Sequence, residues 1–252
     1  MSFDVAADAY DRFMGRFSKP LALELAALVD PRPGQRALDV GCGPGAMTGV
    51  LVARLGADAV AAVDPSEPFV AAARDRHPGV DVRSGSAEQL PFGDDEFDLA
   101  VAQLVVHFMS DPVAGLTEMA RVTRPGGTVA ACVWDHAGAG GPLTEFWRSV
   151  QDLDPDAPGE AELPGTKEGH LAELCRTAGL SDVTPTRLAV SIPFATVEEW
   201  WEPYTLGVGP AGAYVAGLDE QQRAALFERC AARLPAPPFE LRASAWTVTS
   251  RA

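Results

Sequence analysis

The sequence is poor in cysteine and in positive charge. Four cysteines occur among 252 residues, at positions 42, 132, 175 and 230. None is paired at the close spacing that a zinc site or a disulfide framework requires, so they read as reduced thiols, and no clustered metal ligands accompany them. Lysine and arginine number 20 against 35 aspartates and glutamates, a formal net charge of -15. That balance repels phosphate backbones and anionic membrane surfaces over about a Debye length, roughly 8–10 Å, so neither nucleic acid nor membrane is an expected partner. No uncharged apolar run of about 18 residues is present, which excludes an obvious membrane-spanning helix. The opening MSFDVAADAYDRF carries acid early and no basic stretch leading into an apolar one, so it does not read as a secretory leader. Together these absences predict a cytoplasmic protein.

What remains is a chain with 47% hydrophobic residues, enough to bury the core of one large α/β domain. Short apolar runs at 36–40, 59–64, 80–85, 97–103 and 127–134 alternate with helical spacing at 46–55, 67–76 and 112–122, and 20–29 reads as a helix before the first run. This alternation predicts crossover units and a mostly parallel sheet buried on both faces. Glycine-rich residues 136–142 and the proline- and acid-rich stretch 152–165 read as loops. A helix at 167–178 and a strand at 186–194 follow. An interruption holding Trp200, Trp201 and Tyr204, a Gly/Pro-rich 207–217, a helix at 220–234 and a last strand at 243–250 complete the chain.

The strongest local signal is Asp39-Val40-Gly41-Cys42-Gly43-Pro44-Gly45, directly after one strand and before a helix. Glycines there permit a tight turn and let backbone approach a ligand that a Cβ would exclude. Asp64 closes the second strand, roughly 20 residues beyond the glycines, where a carboxylate can accept hydrogen bonds from ribose hydroxyls. These features alone leave a nicotinamide cofactor open.

The sequence resembles the class I, Rossmann-like methyltransferases that use S-adenosylmethionine (SAM), in particular the small-molecule type that includes ubiquinone and menaquinone biosynthesis enzymes (methyltransferase type 11). The likeness rests on ALDVGCGPG (37–45), Asp64, GSAEQLPFGDDEFDLAVAQLVVHF (85–108) and RVTRPGGTV (121–129), in that order. It implies a doubly wound, mostly parallel seven-stranded sheet with helical lid insertions. The expected division is a SAM-binding core at 1–135, a lid insertion at 136–166, core again at 167–194, a second lid insertion at 195–240, and the final strand at 241–252.

By the same resemblance, Asp39, Gly41, Cys42, Gly43 and Gly45 lie around the methionine moiety and ribose, with Asp64 and Pro65 closing the second strand. Ser86, Ala87 and Glu88 are implied beside the adenine, where the family commonly has Asp at the position of Ser86. Gln103 and Leu104 follow the fourth strand near the cofactor, and Tyr10 and Arg16 could meet the methionine carboxylate, for which a guanidinium fork is well shaped.

Methyl transfer from a sulfonium is an in-line displacement, so positioning of the acceptor supplies much of the acceleration. A general base is optional; His107 is the natural candidate and His136 the second, because imidazole titrates near neutrality. Trp134, Trp147, Trp200, Trp201 and Tyr204 could line an apolar acceptor pocket. The expected reaction converts SAM to S-adenosylhomocysteine (SAH) with a small, hydrophobic or aromatic acceptor. The absence of an Asn/Asp-Pro-Pro-aromatic segment also argues against a nucleic-acid acceptor. The competing expectations are a SAM-binding protein without transferase activity and a nicotinamide-dependent oxidoreductase. Oligomeric state is not encoded legibly.

Overall fold

Five of the apolar runs become the parallel part of a seven-stranded sheet in the computed structural model, which describes residues 7–157 and 159–252. Residues 1–6 of the acidic opening and residue 158 of the 152–165 loop lie outside the described residues. The chain runs α1 (Ala7–Phe13), α2 (Gly15–Val29), β1 (Ala37–Val40), α3 (Ala46–Leu55), β2 (Val60–Asp64), α4 (Glu67–Arg76), β3 (Asp81–Ser84) and β4 (Phe97–Gln103). It continues through α5 (Pro112–Val122), β5 (Thr123–Trp134), α6 (Thr144–Leu153), α7 (His170–Thr177), β6 (Ser181–Phe194), α8 (Val197–Trp201), α9 (Gly209–Ala216), α10 (Glu220–Arg233) and β7 (Phe239–Arg251).

The strand order is β3-β2-β1-β4-β5-β7-β6. β3 to β5 are parallel, and β7 runs antiparallel to both β5 and β6. The order reverses direction between β1 and β4, the place where open α/β sheets bind ligands. The period-2 alternation of β1 sends Ala37 into the core shared with α2 and α3, and Leu38 and Val40 into the core shared with α5 and α7. On α2, Phe17, Leu21, Leu25 and Ala26 form the buried stripe, at the spacing an amphipathic helix requires. Among the described residues no helix is long and apolar enough to cross a membrane.

Several elements differ from the sequence reading, each for a physical reason. Proline is common at the first turn of a helix, yet α2 begins at Gly15 and carries Pro20 inside it, because burial of Phe17 and Ser18 offsets the lost hydrogen bond. β6 begins at Ser181, ahead of Pro185. It is the sheet's outermost strand, and an edge strand tolerates a residue that cannot donate to the ladder. The pairing of β6 with β7 runs from Ser181 opposite Arg251 to Phe194 opposite Phe239, which lengthens both strands. Helix α9 replaces the irregular segment expected at 207–217, with Pro210 at its first turn, while α6 fills the span between the two expected loops, where Phe146, Trp147 and Val150 give it an apolar face.

Candidate functional site

A cavity of about 650 Å³ opens at the carboxyl ends of β1 to β5, well within the ~300–1,000 Å³ range of small-molecule sites. Its floor is the turn after β1. The Gly41 and Cys42 amides both donate to the Val63 carbonyl, at 2.7 and 3.0 Å, and Gly41, Gly43 and Gly45 have φ values of 67°, 53° and 94°. Backbone in that left-handed region suits glycine. A Cβ on Gly41 would stand 2.4 Å from Val105 Cγ2, so the floor has no room for a side chain there.

Asp64 locks this turn to the end of β2. Its Oδ2 accepts from the Gly43 amide at 2.8 Å and its Oδ1 from the Ser66 amide at 2.9 Å. Burial nevertheless raises its carboxyl above the ordinary range, against those hydrogen bonds. His77, to which the sequence reading gave no role, braces the turn from outside through Nε2 and the Gly45 carbonyl, 2.9 Å apart.

The structure brings Tyr10, Gly41, Gly43, Asp64, Pro65, Ser86, Ala87, Glu88, Gln103 and Leu104 to the cavity wall. Leu104 has a φ of 63°, a costly conformation for a branched side chain, and its amide is tied to the Cys132 carbonyl at 2.9 Å. The Gln103 side chain donates from Nε2 to the Ser18 carbonyl at 2.8 Å, while its buried Oε1 has no partner among the described residues.

Asp39, Cys42, Gly45 and Arg16 do not line the cavity. Asp39 points toward α3, as alternation along β1 dictates, and accepts from Thr48 Oγ1 at 2.6 Å; Cys42 is buried in a separate small cluster with Val70 and Val82. Gly45 faces His77. Arg16 is held by Glu199 at 2.5 Å and lies 4.5 Å over the Phe194 ring, so its charge already has a partner away from the cavity.

Burial pushes the Asp39 carboxyl up to about 7. The folded protein thus retains a proton that the unfolded chain releases near pH 4. The resulting stability is complete below about pH 4 and is lost as pH rises to about 7. Asp39→Asn removes that titration and keeps an acceptor for Thr48, so its stability relative to wild type should increase between pH 4 and 7 and level off above 8. Urea denaturation at pH 5 and pH 8 checks this; an equal difference at both would show Asp39 to be ionised throughout.

Of the aromatic residues expected around an acceptor, only Trp134 reaches the cavity. Trp147, Trp200, Trp201 and Tyr204 form the interior of the 136–166 and 195–240 segments instead. Tyr204 stacks on Phe146 at 4.5 Å and lies 4.8 Å from Trp200 and 5.9 Å from Trp201, between ring centroids. Large rings bury most area against one another, and a cluster this size satisfies itself. The cavity wall is completed by residues the sequence reading did not single out, among them Phe13, Met14, Leu143, Glu160, Val208 and Pro210.

His107 and His136 both line the cavity, with ring centroids 6.2 Å apart. Burial, with His136 nearby, holds His107 well below the ordinary imidazole range, and burial holds His136 down at about 4. Both are neutral at pH 7, and the buried Nδ1 of His107 has no partner among the described residues. Glu160 is 4% exposed, its Oε2 accepts from Trp147 Nε1 at 2.7 Å, and burial raises its carboxyl to about 7.

Residues 38–131 match the model of a methyltransferase domain family. The chain is 34% identical over 172 residues to a malonyl-[acyl-carrier protein] O-methyltransferase of Erwinia billingiae, covering 68% of this chain and 66% of that protein. It is also 34% identical over 138 residues to a demethylmenaquinone methyltransferase of Streptomyces avermitilis, covering 53% of this chain and 59% of the relative. The chain therefore spans just under two-thirds or less of these curated relatives. A solved SAM-dependent methyltransferase of Thermotoga maritima superposes with a TM-score of 0.58 at 19% identity, over 97% of this chain and 96% of the other. Sheet order, the glycine turn placed at the switch point and the matched domain agree: this chain carries a methyltransferase domain at residues 38–131 and has the class I, Rossmann-like fold of SAM-dependent methyltransferases.

Proposed function

We propose that this chain transfers the methyl group of SAM to a small, largely apolar acceptor. The observation that carries this reading is one continuous cavity whose wall holds two kinds of surface. Gly41, Gly43, Asp64, Ser86 and Ala87 border one part of it, and Trp134, Leu143, Val208, Pro210 and Ala211 border another. The first part suits the cofactor: close backbone without side chains for the methionine moiety, a carboxylate for the ribose, and Ser86 with Ala87 for the adenine.

SAM supplies an electrophilic methyl on a sulfonium, so what the protein contributes is position, exclusion of water and, where the acceptor bears a proton, a group to take it. Helices α6, α8, α9 and α10 act in this reading as the lid over the strand ends. Phe13 of α1 packs edge-on against Tyr204 at 5.0 Å, which ties the N-terminal helix to that lid. A net charge of -15 opposes a nucleic-acid acceptor electrostatically.

Incubation with SAM and a panel of small apolar alcohols, amines and acids, followed by chromatography for SAH, tests the reading. SAH formation above the acceptor-free rate supports it, and a flat response with every compound counts against transfer. Because Arg16 is paired to Glu199, Arg16→Ala should change SAH affinity by less than about threefold, within the small effects of part-exposed ion pairs. A loss beyond tenfold in calorimetry would show that Arg16 leaves Glu199 to hold the ligand's carboxylate.

A further inference from the structure

Among the described residues, Glu160 is the one buried carboxylate of the cavity wall that the cofactor reading leaves unused. Asp64 is engaged by the glycine turn, and Glu88 accepts from the Ser110 amide at 2.8 Å. Glu160 comes from the 136–166 segment and lines the same cavity as Leu143, Val208 and Pro210. Trp147 occupies Oε2, and Oε1 accepts no hydrogen bond from the described residues. Oε1 is not sealed away as an enclosed unpaired atom, so a donor that enters the cavity can meet it.

The rest of the wall narrows what that donor is. Among the described residues neither lysine nor arginine lines the cavity, and both histidines are held neutral. An acceptor bearing a carboxylate or phosphate would enter without a counter-ion from the protein and beside an acid. A hydroxyl or an amine would instead complete the unfilled side of Glu160.

We propose that Glu160 is the acceptor-binding carboxylate: it receives an O–H or N–H hydrogen of an acceptor without negative charge and takes that proton as the methyl group is transferred. This rests on the methyl-transfer reading above. The acceptor's oxygen or nitrogen forms the new bond to the methyl carbon, the carbon–sulfur bond breaks with its electron pair left on sulfur, and the acceptor proton goes to Glu160 Oε1. Two further facts agree. General bases work best when they titrate near the operating pH, which Glu160 does and the two histidines do not. Trp147, itself off the cavity, positions the carboxylate through Oε2 and leaves Oε1 for the acceptor.

Three probes with one indole body test it: tryptamine, tryptophol and indole-3-acetate, titrated by calorimetry at pH 8 into protein saturated with SAH. Tryptamine and tryptophol should bind and the acid should bind at least tenfold more weakly. Glu160→Gln keeps the shape and an acceptor for Trp147, so it should fold and bind SAH as wild type does while tryptamine affinity falls at least tenfold; Glu160→Asp should restore part of it. The proposal is overturned if the acid binds as tightly as the alcohol, if Glu160→Gln leaves tryptamine binding unchanged, or if neither the amine nor the alcohol binds the SAH-loaded protein. A purely structural Glu160 would shift the melting temperature of Glu160→Gln and leave the order of the probes intact. Absence of heat with SAH itself would defeat the cofactor reading, and this proposal with it.

Discussion

Gly41→Ala should destabilise the protein by about 3 kcal/mol, from roughly 1–2 for a side chain in left-handed backbone and 1–3 for overpacking. Both costs are visible in the geometry. The φ of Gly41 is 67°, and an added methyl would stand 2.4 and 2.6 Å from the two γ-carbons of Val105. Valine is stiff at χ1 and cannot swing aside as a long side chain would. Relief must then come from moving the turn after β1 or the segment after β4, and both line the cavity, so SAH affinity should fall together with stability. Gly43→Ala is the internal control: its φ is 53° but nothing stands within 4 Å of an added Cβ, and it should lose only about 1 kcal/mol. Urea denaturation of the two variants gives the comparison. Equal losses would show that Val105 yields freely and that the close approach at Gly41 carries no cost.

Asp64→Ala carries the second large effect, a loss of about 3 kcal/mol in SAH binding, roughly a hundredfold in Kd. The substitution leaves the Gly43 and Ser66 amides without the acceptor they share, and in the reading proposed here it also removes the partner of the ribose. Asp64→Asn separates the two contributions. One amide oxygen can still serve a backbone N–H, so stability should recover more than affinity. Calorimetric titration with SAH measures the affinity, and thermal unfolding without ligand measures the stability of the turn. An Asp64→Ala protein that binds SAH like wild type would remove the carboxylate from the cofactor site and leave it only the work of holding the turn.

Legibility in the sequence followed the range of the interaction that each feature depends on. The glycine turn, Asp64 at a strand end, and the alternation of apolar runs with helical spacing are set by residues within about one supersecondary unit. They were readable because backbone sterics and period do not need the rest of the molecule. β6 shows the opposite case. Pro185 reads as a barrier until the strand is known to be outermost, where the missing N–H faces no partner. The tryptophans show it again: Trp200, Trp201 and Trp147 are of the type that lines apolar pockets, yet Tyr204 and Phe146 gather them into an interior of their own.

The acids divide along the same line. By itself, the sequence determined that this chain builds a mostly parallel α/β sheet with a glycine turn after its first strand, because those preferences are local and repeat along the chain. Only the tertiary structure decided that Arg16 is bound to Glu199, that Asp39 turns toward Thr48, and that Glu160, one acid in the stretch DLDPDAPGEAELPG, is enclosed beside Trp147 in the cavity. The physical reason is that desolvation of a side chain depends on what distant segments pack over it, and in the sequence a buried carboxylate and a solvated one are the same letter.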